Sequence, residues 1–270
     1  MSMESIRIET RGAAMHVRLS RPEVRNALDE KTIEELLAAL DLVLATPRLR
    51  VLVIEAEDKV FCAGADLESM RRQGSADFDG NLRAAERLGS LFDRIAQLPL
   101  PVLARVQGPA IGGGVGLVAA CDVAVASEDS TFSLAEVRLG LVPAVISPHV
   151  LRKVGASHAR ELILTGRRFS AADALRIGLV HRVVPAPGLD AAAASAIEEL
   201  IAGGPEALAR AKKLLDSVER LATAAPEEIR AFTARQIAEA RSSDEGRAGI
   251  DAFLRKQPAP WLSGPATRPG

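Results

Sequence analysis

Two hydrophobic periods alternate along the first two-thirds of the chain. Ile6–Thr10 and Met15–Leu19 lie on either side of Arg11-Gly12 and predict a β-hairpin. From Leu28 to Ala45 the spacing of Ile33, Leu36, Leu37, Leu40 and Leu44 is helical, with Asp29 placed to cap the first turn. Val51–Ala56 is an apolar run of the kind that a strand buried on both faces requires. Asn81–Leu98 returns to helical spacing and stops at Pro99 and Pro101. Val102–Val106 and Val123–Ala126 predict two further buried strands, flanking a glycine-rich turn and an apolar helix. Strands separated by helices imply right-handed crossovers and a mainly parallel core, hence an α/β fold.

The pattern changes near Leu189. Asp190 to Leu254 is rich in Ala, Glu and Arg and holds no strand-like run. Gly203-Gly204-Pro205 and Pro226 divide it into three or four helices, one starting near Ser243 with Asp244 and Glu245 in its first turn. The expected division is a core over 1–189 and a C-terminal helical region over 190–270. An amphipathic helical region of this kind is expected to fold back on the core or to pack against another subunit.

Composition narrows the function. The 270 residues carry a net charge of −1, so no overall basic field draws the chain to nucleic acid or anionic lipid. Aromatic residues make up 3%, too few for base-stacking platforms. Cys62 and Cys121 cannot build a disulfide framework and lack the paired spacing of a zinc site. The early N-terminal residues include acids and no apolar segment, and the stretch from Val102 to Ala126 is interrupted by Arg105, Gln107 and Asp122. Neither a signal peptide nor a membrane span is expected, and the location expected by elimination is cytoplasmic. Gly112-Gly113-Gly114-Val115-Gly116-Leu117 departs from the dinucleotide fingerprint because leucine holds the third glycine position. The chain has no P-loop, no G-x-S-x-G elbow and no H-E-x-x-H, and His16, His149, His158 and His181 form no ligand cluster in sequence. No metal and no resident cofactor is expected.

Two loops remain, each following a buried strand and each made of small residues. They are Phe61-Cys62-Ala63-Gly64-Ala65-Asp66-Leu67 and Gly108-Pro109-Ala110-Ile111-Gly112-Gly113-Gly114. Small residues let a ligand approach the backbone, and a following helix presents unpaired N–H groups with the positive end of its dipole. Two such N–H groups converging on one carbonyl oxygen would form an oxyanion hole without a polar side chain. Either loop alone is usually no more than tight packing.

Taken together, these segments resemble the crotonase (enoyl-CoA hydratase/isomerase) superfamily. The resemblance extends to Leu19-Ser20-Arg21-Pro22-Glu23-Val24-Arg25-Asn26-Ala27-Leu28, to Thr165-Gly166 with Gly178-Leu179-Val180, and to Phe253-Leu254-Arg255-Lys256 with Pro258 and Trp261. It implies a spiral of ββα units with a C-terminal α-helical trimerisation region, assembling as a homotrimer or a dimer of trimers. It implies an acyl-CoA thioester substrate, the CoA being part of the substrate and not a cofactor. Carried over by motif position, Ala65 and Gly113 supply the oxyanion donors and Glu136, in Ser133-Leu134-Ala135-Glu136-Val137-Arg138-Leu139-Gly140, is the acid/base. A carboxylate in an apolar pocket is expected to have its pKa raised toward that of a working acid/base. The substrate-binding positions so implied are Arg25, Ala27, Ala63, Asp66, Leu67, Gly140 and Lys256, with Asp66 also capping the helix that begins at Leu67. Arg21, Lys59 and Arg71 are further candidate partners of the CoA phosphates, and Cys62 is read as packing.

Gly116 stands where hydratases of the family carry a second glutamate, which leaves room for a Δ3,Δ2-enoyl-CoA isomerase or for a CoA-ester-binding protein with little catalysis. The run from Ala135 to Pro148 is similar to bacterial 3-methylglutaconyl-CoA hydratases. It implies hydration of a branched or carboxylated enoyl-CoA, with His149 or Arg152 as partners of a distal carboxylate. His149 reads equally as a hydrogen-bonded core histidine.

Overall fold

Each turn of the chain adds a strand to a large sheet, a short extended piece to a second sheet, and then a helix. The computed structural model describes residues 3–66, 68–69, 71 and 77–263. Strands β1 (Ile6–Arg11) and β2 (Ala14–Leu19) form the expected hairpin, each one residue longer at the turn. Strands β3 (Val51–Ala56), β4 (Val102–Val106), β6 (Val123–Ser127) and β9 (Arg182–Val184) follow β2 in parallel, giving the order β1-β2-β3-β4-β6-β9. Every residue of β3 is buried, as its apolar run requires.

The second sheet consists of β5 (Ala110–Ile111), parallel to β7 (Thr131–Ser133), which pairs antiparallel with β8 (Arg168–Ser170). Single parallel bridges, Cys62 with Ala110 and Leu28 with Ala65, continue it on the other side. Strand, short strand and helix thus repeat as a spiral, and the second sheet is where the two small-residue loops meet.

Helix α1 (Glu30–Ala45) is capped by Asp29, whose carboxylate accepts from Thr32 N at 2.8 Å. Its buried stripe holds Ile33, Leu36, Leu37 and Leu40 as the spacing predicts, but ends on Val43; Leu44 is exposed. Helix α2 (Phe78–Gln97) begins three residues before the expected start, because Asp77 caps it through Gly80 N at 2.8 Å and its first turns are exposed. Helix α3 (Gly113–Ala120) is buried on all sides. Helices α4 (Ser147–Thr165) and α5 (Ala171–Arg176), and the whole second sheet, lie where the sequence reading places no element.

Beyond β9 the expected breaks appear. Helices α6 (Leu189–Ala202), α7 (Pro205–Arg220), α8 (Pro226–Ser242) and α9 (Asp244–Leu254) are followed by the short α10 (Pro260–Ser263). Ser243 caps α9 through Gly246 N at 3.0 Å. Leu189, Ala193 and Ala196 of α6 pack on Val51, Val53, Leu103 and Val125 of the large sheet. Helices α7 and α8 bury no residue within the chain. No helix among the described residues is long and apolar enough to cross a membrane.

Candidate active site

The first loop is held by its neighbours on both sides. Leu28 N donates to the Gly64 carbonyl at 2.8 Å and Asp66 N donates to the Leu28 carbonyl at 3.0 Å. In a parallel bridge of this kind the intervening residue, Ala65, turns its own N–H away from Leu28. On the other side Cys62 N donates to Pro109 O at 3.1 Å and Ile111 N to Cys62 O at 2.9 Å, fastening the first loop to the second.

The two loops lie backbone against backbone. Gly64 has φ +91°, and a β-carbon there would stand 2.8 Å from the Ile111 carbonyl oxygen and 3.5 Å from the Gly113 nitrogen. A β-carbon on Gly113 would stand 3.9 Å from the Ala65 nitrogen. Gly113 opens α3, so its N–H has no acceptor within the helix. Neither the Ala65 nor the Gly113 N–H donates to a protein acceptor among the described residues. Two unpaired main-chain donors therefore sit side by side, reinforced by the dipole of α3.

The acid is one residue away. Glu136 opens a 3-10 turn, Glu136–Leu139, that follows β7. A β-carbon on Gly112, itself at φ +50°, would come within 2.7 Å of Glu136 Oε1, so the carboxylate rests against the Gly112 backbone. Glu136 Oε2 is buried without a hydrogen-bond partner. Burial raises the Glu136 carboxyl above the ordinary carboxylate value, opposed in part by its own backbone N–H. The paired amides and Glu136 line a cavity of about 200 Å³ whose remaining walls include Leu88, Leu139, Val142, Val145 and Ile146. Leu139 and Val142 are exposed at its rim.

Two unpaired N–H groups can polarise a carbonyl oxygen, and a buried carboxyl beside them can move a proton at the neighbouring carbon. Residues 9–264 match the enoyl-CoA hydratase/isomerase family. The chain belongs to that family. An enoyl-CoA hydratase from Shewanella pealeana, known as a crystal structure, superposes with a TM-score of 0.92 at 37% identity, covering 96% of each chain. The carnitinyl-CoA dehydratase of Proteus mirabilis is 32% identical over 263 residues, covering 96% of this chain and 98% of that one. The enoyl-CoA isomerase/hydratase fer4 of Mycosarcoma maydis is 30% identical over 252 residues, covering 90% of each. The protein is accordingly an enoyl-CoA hydratase-like enzyme with the crotonase fold.

Within this family member the implied residues do not all converge. Ala63, Ala65, Gly113 and Glu136 share the cavity. Asp66 caps as expected, accepting from Glu68 N and Ser69 N at 3.0 Å each; Leu67 lies outside the described residues. Gly140 closes the turn that Glu136 opens. The Arg25 carbonyl accepts from Ala63 N at 3.0 Å and its side chain is exposed, while Ala27 is buried with its carbonyl accepting from Arg21 Nη1 at 3.1 Å. Lys59 and Lys256 are exposed, and Lys256, just past α9, donates its backbone N–H to Phe253 O at 3.0 Å. Arg71 pairs with Glu68 at 2.7 Å. Cys62 is fully buried, its thiol pushed up to about 12 by desolvation, which makes it inert packing.

His149 and Arg152 require a correction as partners of a substrate carboxylate. His149 Nε2 lies 3.3 Å from Asp93 Oδ1 and its ring meets Phe92 edge-on, while Arg152 pairs with Asp216 and Glu219 at 3.2 and 2.8 Å. Both are part of α4 packing against other helices, away from the cavity.

Sequence reading missed two determinants of the site. Asn26, 2% exposed, pins the turn before α1 to the first loop: its amide donates to Glu57 O at 2.9 Å and Val60 O at 2.8 Å, and its carbonyl accepts from Arg21 N at 2.9 Å. Its place in the matched motif was the available signal. The other determinant is the surroundings of Gly116, where a β-carbon would lie 2.4 Å from Ile146 Cγ2 and 3.0 Å from Phe92 Cζ. The second carboxylate's position is therefore filled by apolar side chains. Gly116→Ala is expected to destabilise the fold by about 1–3 kcal/mol through overpacking, read from the denaturation midpoint. Gly116→Glu is expected to unfold more readily still and to gain no hydration activity.

Proposed function

We propose that the protein hydrates an α,β-unsaturated acyl-CoA thioester whose acyl group carries no distal charge. The observation that carries this reading is the buried, unpartnered Oε2 of Glu136 beside the paired Ala65 and Gly113 N–H groups. In the proposed reaction Glu136 takes a proton from water as the water oxygen bonds to the β-carbon. Electron density moves onto the thioester oxygen, where the two amides stabilise it. Glu136 then returns the proton to the α-carbon and the thioester re-forms. One carboxylate with one open oxygen suffices for both transfers.

The walls support an apolar acyl group over the carboxylated one suggested by the likeness to 3-methylglutaconyl-CoA hydratases. No described residue lining the cavity is cationic, so a distal carboxylate would be buried without a partner. Arg25, Lys59 and Lys256 remain candidates for the CoA phosphates. The C-terminal region from residue 190, with Ile250, Phe253 and Leu254 exposed on α9, supports the reading of this segment as a self-association unit of a homotrimer.

A second reading, Δ3,Δ2 isomerisation, is favoured by the apolar surroundings of Gly116, because a 1,3-proton shift needs a single carboxylate and no positioned water. The absorbance of the conjugated enoyl thioester separates the two. Hydration predicts its loss with crotonyl-CoA, faster than with 3-methylglutaconyl-CoA. Its appearance from a 3-enoyl-CoA, with no loss from crotonyl-CoA, would replace hydration by isomerisation, and faster turnover of 3-methylglutaconyl-CoA would overturn the uncharged acyl group.

A further inference from the structure

Arg21 is one of the candidate partners of the CoA phosphates, yet its guanidinium is turned inward. The side chain is only 20% exposed. Nη1 lies 2.9 Å from Asp29 Oδ2 and donates to the Ala27 carbonyl at 3.1 Å, and Nη2 lies 3.7 Å from Asp66 Oδ2. Each of these carboxylates already caps a helix with its other oxygen: Asp29 Oδ1 accepts from Thr32 N, and Asp66 Oδ1 from Glu68 N and Ser69 N. One cation therefore joins the two residues flanking Leu28 to the residue that follows Ala65. Between them runs the Leu28–Ala65 bridge that decides which way the Ala65 N–H points.

From this geometry we infer that Arg21 is a positioning residue for the Ala65 oxyanion donor. The inference rests on the proposed role of Ala65 as a donor to the thioester oxygen. Without the guanidinium, Asp29 and Asp66 face each other as two carboxylates with no cation joining them, and their repulsion separates residues 64–66 from Leu28. The Ala65 N–H then tilts away from Gly113. A lysine reaches one carboxylate as a point charge but cannot span both and the Ala27 carbonyl, because it lacks the planar fork.

The test uses the full chain with Arg21→Gln and Arg21→Lys. For Arg21→Gln, kcat is expected to fall about 10- to 100-fold, short of the roughly 10²–10³ lost when a donor is removed outright. Arg21→Lys should fall less, and both variants should keep the KM and the affinity for CoA within about twofold, on the view that the guanidinium contacts no substrate. The spectroscopic signature is the carbonyl stretch of bound butyryl-CoA, which two N–H donors lower; in Arg21→Gln it should move back toward the free value. Should Arg21→Gln fail to fold, Arg21→Lys carries the same comparison. Weakened CoA binding with kcat unchanged would make Arg21 a phosphate ligand and overturn the inference, as would a fall in kcat with the carbonyl stretch unmoved. A wild-type protein that turns over no enoyl-CoA but shows an Arg21-dependent carbonyl shift would defeat the proposed reaction and leave this inference standing.

Discussion

Replacing Glu136 with glutamine is expected to lower turnover by about 10²–10⁴ while leaving the fold as stable or more stable at neutral pH. The two effects share one cause. In the proposed reaction Glu136 is the acid/base, and its Oε2 is buried without a partner. Burial raises its pKa in the folded protein, whereas in the unfolded chain it returns to about its ordinary value of 4.5. Between those two values the folded state binds more protons than the unfolded one, so stability falls as pH rises through that window. Above it the protein carries the full penalty of an ionised, desolvated carboxyl, which glutamine removes. Wild-type kcat/KM should correspondingly fall in acid with a midpoint above 4.5, since proton abstraction requires the carboxylate. Steady-state rates and denaturation midpoints on the same preparations check both halves. A stable Glu136→Gln protein with wild-type turnover would remove Glu136 from the reaction and favour a CoA-ester-binding protein.

Gly64→Ala is expected to lose about 10²–10³ in kcat, comparable to deleting one oxyanion donor. The glycine sits at φ +91°, where an L-residue is strained by roughly 1–2 kcal/mol. The larger effect is spatial. The new methyl would meet the Ile111 carbonyl oxygen at 2.8 Å, and that oxygen belongs to backbone which cannot swing aside as a side chain does. The loops must part, carrying the Ala65 and Gly113 nitrogens away from each other. Gly12→Ala is the matching control, because Gly12 has φ +59° with nothing within 4 Å of the added carbon. That variant should lose stability alone and keep full activity.

The hydrophobic pattern specified the elements whose packing is periodic and buried. β3, β4 and α1 were legible because one face or two faces of each meet the core along their whole length. Leu44 misled because a helix end is free to turn: the core stripe closes on Val43 and Leu44 faces out. The second sheet was invisible, since strands of two or three residues show no period. The site divides in the same way. Its smallness could be read from the two loops, but the convergence of Ala65 and Gly113 rests on Leu28 and Ile111 holding the loops from elsewhere in the sequence. The roles of these residues came from resemblance, and the geometry supplied their physical reason. Ile146 and Phe92, which surround Gly116, come from segments 30 and 24 residues away on either side, so no local pattern announced them. Arg21 reads from sequence as a candidate partner of the CoA phosphates, because sequence does not reveal that two capping carboxylates face it.

The proposed reaction requires a thioester carbonyl gripped by two main-chain amides with Glu136 at the neighbouring carbon. It is tested most directly by proton exchange at the α-carbon of a saturated substrate analogue. Butyryl-CoA has no double bond to hydrate or shift, yet the same amides should stabilise its enolate and the same carboxylate should remove its proton. Incubated in deuterated water and followed by proton NMR, it should lose one of its two α-hydrogens with the wild-type protein and neither with Glu136→Gln. Exchange that proceeds equally in both proteins, or binding of butyryl-CoA to the wild type with no exchange at all, would contradict the account.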